Sequence, residues 1–228
     1  MLHLPGKKTG LLVFFTFALL PLFAQQAGTT AQDTAYLRTV RERAGKIVTA
    51  MQLPDAARAG QLQEIIARQY YDLNEVYKKR DAAIAAAKTA SAGSKEAFEA
   101  SRLKIAADTD ERLTQLHNAY LARLSALLDK TQVEQVKNGM TYNVVNFTYN
   151  GYLAMLPGLT EPQKKQILDY LTEAREHAMD AESSEKKHQW FGKYKGKINN
   201  YLSAQGYDMK KAGEDWAKRR KEAQQPAQ

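Results

Sequence analysis

Apolar residues recur at spacings of three and four along nearly the whole chain, the period of an amphipathic helix. Leu37, Val40, Ala44, Ile47, Val48 and Met51 mark a first helix that Asp33 or Thr34 can cap and that Leu53-Pro54-Asp55 ends. A second is predicted from about Asp55 to Thr89, with Leu62, Ile65, Ile66, Leu73, Tyr77 and Ile84 inward and an alanine-rich end. After a break at Ala90–Ser94, Ser94 caps a third helix to about Asp129, whose inner stripe runs from Phe98 through Ile105, Leu116 and Tyr120 to Leu128. Thr131 and Glu134 fit a capping box for a short fourth helix ending at Asn138-Gly139.

Thr160, Pro162 and Gln163 open the next helix, which reaches about Ala181. Ser184 caps another through Trp190, Phe191, Tyr194, Ile198 and Leu202, closed by Gly206, and Asp208 starts the last. With no credible sheet, the fold class is all-α: a bundle of about six to seven helices. A shift of 106 positions pairs Tyr36 with Tyr142, Gly45 with Gly151 and Leu53 with Leu159, a faint sign of two repeated halves with both glycines at close helix approaches.

One stretch departs from this pattern. Thr141–Leu156, TYNVVNFTYNGYLAML, concentrates tyrosine and asparagine as no other segment does. At helical spacing Tyr142, Val145, Tyr149, Tyr152 and Leu156 share a stripe, and Asn143, Asn146 and Asn150 share another. Its β-branched residues pull toward strand, but residues two apart mix Tyr, Val and Asn on one side, so helix is the better reading.

The start of the chain reads as a signal peptide: His3, Lys7 and Lys8, an apolar run from Leu11 to Leu20, then Ala24 as the cleavage residue. The expected organisation is residues 1–24 removed, 25–32 a disordered leader, 33–217 one helical domain and 218–228 a disordered basic tail. Such a run is too short for a lasting membrane span, and export to the periplasm or beyond is the expectation. No cysteine occurs, so neither disulfides nor a lipid-modified cysteine can contribute. Losing Lys7 and Lys8 lowers the formal net charge from +8 to +6. Eleven Lys or Arg fall between Lys186 and Lys221 against Asp208, Glu214 and Asp215, a field that draws anions. Outside the cytosol those anions are acidic glycans or envelope lipids rather than nucleic acid. A plainer reading is that these cations solvate the outer faces of the last helices.

Saccharides are bound by aromatic planes and by amides that both donate and accept hydrogen bonds. Tyr142, Asn143, Asn146, Tyr149, Asn150 and Tyr152 supply one such set; His188, Trp190, Tyr194, Lys195, Lys197 and Asn200 supply another. The competing reading makes the aromatics core and the asparagines surface or caps. Glu173, His177 and Asp180 could meet on one helix face, but no HExxH occurs, and neither metal nor cofactor is expected. No catalytic residue is assigned. A lyase on uronic acids would use His188 or Tyr194 as base.

KNGMTYNVV, TYNGYLAMLP, the helix ending EAREHAMDA and KYKGKINNYLSAQGYD resemble a family of uncharacterised exported bacterial proteins over nearly the whole mature chain. That resemblance implies a sugar-binding role and company with polysaccharide-degrading enzymes, and no catalytic residues. Leu159-Thr160-Glu161-Pro162-Gln163 also resembles the L-T-x-x-Q motif of periplasmic helical chaperones and stress sensors. The expected function is therefore an exported, non-catalytic carbohydrate-binding accessory protein. A uronic-acid lyase and a helical chaperone are the alternatives.

Overall fold

The computed structural model describes residues 31–224, and the predicted signal peptide lies outside them. Among the described residues are eight helices and no strand: α1 Ala31–Met51, α2 Ala56–Ala90, α3 Lys95–Leu127, α4 Lys130–Met140, α5 Val144–Met155, α6 Glu161–Met179, α7 Ser184–Ala204 and α8 Met209–Ala223. The protein is an all-α bundle, and the Tyr/Asn stretch supplies the helix beyond the predicted seven.

Most of the helices start where a side chain can satisfy orphan amides; α5, which follows the left-handed Asn143, is an exception. Asp55 accepts from Ala57 N at 2.9 Å and Arg58 N at 3.2 Å, opening α2 directly after Pro54. The predicted boxes shift slightly. In α4 the pair is Asp129 and Gln132, two residues ahead of Thr131 and Glu134, because Leu128 already leaves α3 in an extended conformation. Ser183, not Ser184, caps α7. At α6 the Gln163 carboxamide accepts from Thr160 N at 2.9 Å, as expected of the cap. Gly206 ends α7 with φ +91, a conformation that glycine adopts freely.

Two apolar cores form in succession. Val40, Ala44, Leu62, Ile66, Tyr120, Leu124, Val136 and Met140 close the first among α1–α4, and Val145, Tyr152, Ile167, Leu171, Phe191, Tyr194, Ile198 and Leu202 close the second among α5–α7. Met179, at the end of α6, belongs to the first core and so ties the halves together. The order of elements repeats, but the glycine part of the repeat does not hold. A Cβ on Gly45 would meet the Gln63 side chain at 3.2 Å, whereas nothing lies within 4 Å of one on Gly151. The close backbone approach is at Gly139 instead.

Helix α8 runs to Ala223, so Lys218–Lys221, expected in a disordered tail, form its last turns. Ala31 and Gln32, expected in the leader, begin α1.

Candidate functional site

The halves meet along a polar seam. Buried Arg175 of α6 donates to Glu134 at 2.6 Å and Asn138 at 2.9 Å on α4 and to Glu176 at 3.0 Å; Glu176 also pairs with Lys137 at 3.0 Å. His117 of α3 holds Asp180 through Nδ1 at 2.7 Å and faces Glu176 through Nε2 at 3.6 Å. The Tyr77 hydroxyl donates to the Asp180 carbonyl at 2.6 Å. The turn between α6 and α7 thus rests in the crotch of the α2–α3 hairpin, with a groove on either side of it.

The first groove, of about 880 Å³, lies among α1, α2, the α4–α5 turn and the start of α7. Tyr36, Tyr70, Tyr77 and Tyr142 line it together with Asn74, and Arg43, Lys46, Lys78 and Lys187 are its cations. Tyr36 donates to the Tyr70 carbonyl at 3.2 Å. The Tyr70 and Tyr142 hydroxyls have no hydrogen-bond partner among the described residues. Burial, then the Tyr142 phenol, hold Tyr70 well above the ordinary phenol range; burial, then Asp180 and Glu182, do the same for Tyr77. Both phenols therefore stay protonated at neutral pH; Tyr77 donates its proton to the Asp180 carbonyl, and Tyr70 keeps its own for the groove.

Tyr142 reaches the groove because the backbone turns sharply there. Tyr142 and Asn143 both have φ +57, and Asn143 N bonds back to the Asn138 carbonyl at 2.8 Å. Left-handed conformations at two successive non-glycine residues cost on the order of 1–3 kcal/mol each, and asparagine bears it best. The displaced ring stacks on His188 at 5.6 Å with planes 19° apart, leaving Tyr142 half exposed.

The second groove, of about 780 Å³, lies among α2, α3, α6 and α7 and is lined by Asp110, Thr114, His117, Glu176, His177, Asp180, Glu182 and Trp190. Its hydrogen bond to Asp180 raises the His117 pKa against the opposing effect of burial. With both nitrogens directed at carboxylates, this imidazole clamps α3 to α6 and is not poised as a free base. No three metal-ligating side chains converge among the described residues.

The family model described as "Protein of unknown function (DUF3826)" matches residues 37–222. The chain belongs to this family. No curated protein matches it.

Within this DUF3826 chain the twelve residues expected to bind fall into separate places. Tyr142 and His188 come together, as expected. Tyr152 is buried, its hydroxyl donating to Asn199 Oδ1 at 2.8 Å, and burial pushes its pKa up to about 12. Tyr194 is sealed in the second core, donating to Glu173 at 2.6 Å under the Lys197 ammonium, which lies 4.1 Å from the ring centroid. Burial, then Glu173, push the Tyr194 phenol up to about 12, and its hydroxyl is engaged by that carboxylate. Trp190 stacks on His177 at 4.4 Å, carries Lys193 at 4.9 Å and lines the second groove, apart from Tyr142 and His188. Tyr149 packs partly into the second core; Asn146, bonded to Asn143 at 2.6 Å, and Asn150 lie exposed on the outside of α5. Lys195 and Asn200 are exposed on α7. The shared hollow between the Tyr/Asn stretch and α7 reduces to the Tyr142–His188 stack, because α5 turns its other tyrosines inward.

The sequence reading missed Tyr36, Arg43, Lys46, Tyr70, Asn74 and Lys187 as site residues. Lys187 carried a legible signal. It lies on the apolar register of Phe191, Tyr194, Ile198 and Leu202, where a solvating lysine has no place.

Proposed function

We propose that this protein binds carbohydrate in the groove lined by Tyr36, Tyr70, Tyr77 and Tyr142, as a non-catalytic exported accessory to polysaccharide use. The observation that carries this is convergence. Phenols from α1, α2 and the α4–α5 turn meet one another, an amide and several cations in a groove of oligosaccharide size, about 880 Å³. Ring faces suit the C–H faces of a sugar; free hydroxyls and Asn74 suit its hydroxyl groups. The non-catalytic reading is supported by Tyr70 and Tyr77, whose phenols burial holds protonated, and by His117, which is engaged on both sides.

The chaperone reading has less support. Only three large aliphatic or phenylalanine side chains, Leu103, Phe147 and Leu168, are exposed among the described residues, one each on α3, α5 and α6. The L-T-x-x-Q likeness at Leu159–Gln163 is accounted for by the α6 cap.

Calorimetric titration with an oligosaccharide panel tests the proposal. Tyr142→Ala removes a ring outside both cores and should weaken binding by about three- to tenfold, the worth of one stacked aromatic contact. Absence of binding to every saccharide, or binding indifferent to Tyr142→Ala and Asn74→Ala, overturns it.

A further inference from the structure

Lys187 enters the groove from the first turns of α7, and the protein meets few of its needs. The side chain is 6% exposed. Its ammonium donates one hydrogen bond, to the Met179 carbonyl at 3.0 Å, and lies 5.7 Å from the Tyr70 ring centroid. An ammonium has three donors, so two are left to the groove. The bond to Met179 caps the end of α6, which explains part of the placement and leaves those two unused. No carboxylate lies within ion-pair distance of it: nearby Asp180 is held by His117 through Oδ2 and keeps a buried, unpartnered Oδ1, while Glu182 and Asp81, the carboxylates that line the groove, both pair with Arg80. Across the same groove Arg43 and Lys46 make no ion pair among the described residues, while Lys78 is neutralised by Asp33 and Glu75. A buried cation short of acceptors, with two free cations at its rim, is a seat for an anion.

Resting on the reading of this groove as a saccharide site, we propose that Lys187, with Arg43 and Lys46 at the rim, seats the acid group of the bound sugar, so that the ligand is an acidic oligosaccharide. A carboxylate and a sulfate ester share the necessary chemistry, a compact anion with several acceptor oxygens.

The charge state of Lys187 gives the proposal its own readout. Groups facing it are Arg43 of α1, Tyr70 of α2, Tyr142 of the α4–α5 turn, and Asp180 and Glu182 of the α6–α7 turn. Burial lowers its pKa to about 8; Asp180 opposes that, and Arg43 adds to it. An anion on the ammonium restores the charged form, so affinity is full below the free-state value and falls as pH rises above it.

The experiment is calorimetric titration of the full mature chain with three probes: a trisaccharide of uronic acids, the corresponding uncharged trisaccharide and its sulfated form. Either acid should bind at least about tenfold more tightly than the uncharged trimer, and the tighter of the two names the group. Arg43→Gln with Lys46→Gln, both exposed, should weaken the acid about tenfold or more and so narrow its advantage over the uncharged trimer. Between about pH 7 and pH 9 acid affinity should fall toward tenfold per unit above the Lys187 pKa, and Lys187→Met should flatten that profile. Should Lys187→Met fail to fold for want of the α6 cap, the rim variant and the native pH profile still decide. Equal binding of acidic and uncharged trimers, or a flat native profile, overturns the anion seat and leaves the sugar site standing. No binding of any trimer overturns both.

Discussion

A Cβ on Gly139 of α4 would lie 2.8 Å from Cγ2 of Ile47 on α1, closer than real side chains approach. Gly139→Ala should therefore destabilise by about 1–3 kcal/mol despite alanine's better helix propensity. In an Ile47→Ala background the same change should cost close to nothing, and a double-mutant cycle by denaturant unfolding measures the difference. Gln69 is the reverse case. It is fully buried on α2 beside Ile66 and Leu73, and neither polar atom of its amide has a protein partner. Gln69→Leu keeps the volume and removes two unmatched dipoles, so thermal unfolding should show a gain of about 1–3 kcal/mol. Both sites carry a residue whose character opposes its register, a glycine in a helix and an amide in an apolar stripe. The sequence displays the anomaly; the neighbour that explains it appears only after packing.

Helices α2 and α3 are the longest elements, about 50 Å each at helical rise. Yet no residue between Leu73 and Leu116 is buried, so the far half of their hairpin projects beyond the first core. It is held by helix propensity, the Ser94 cap and ion pairs such as Arg102–Glu99. Hydrogen exchange should find this distal region opening well below the free energy of global unfolding, with the protected amides of α2 confined to its first half. Protection equal along the whole hairpin would contradict that. Helix starts were legible to within a residue or two because a cap is a local event: Ser94 and Thr160 cap where expected, and Asp55 and Asp208, read only as helix starts, are caps as well. The α4–α5 junction was not legible. A continuous 3.6-residue pattern through Tyr142 conceals two left-handed residues, and their cost is borne by long-range contacts such as the stack on His188.

At the scale of the molecule, the seam decides how firmly the halves hold. Arg175 is 2% exposed and bridges Glu134, Asn138 and Glu176. Arg175→Met leaves carboxylates facing one another and should cost about 3–5 kcal/mol. His117 makes the seam pH-dependent. Its folded-state pKa is raised above the ordinary 6.5, by the Asp180 hydrogen bond first, so its contribution is full below the unfolded value and is lost as pH rises through the folded one. Lys187, with its pKa lowered to about 8, acts only at higher pH and in the opposite sense, since relief of its buried charge adds stability as pH rises. Unfolding followed from about pH 6 to pH 8 should thus show a decline that His117→Gln abolishes.

The sequence by itself determined most of the helices and much of the core, though not the α4–α5 junction, because caps, turns and a 3.6-residue apolar period are interactions over a few residues. Tertiary structure decided which tyrosines are surface and which are core, since Tyr142 and Tyr152 differ in fate through a backbone turn and a partner on α7. It also decided where the candidate site lies. Tyr36, Tyr70, Tyr142 and Lys187 come from four separate parts of the chain, and only the docking of two cores across one charged seam brings them to a single groove.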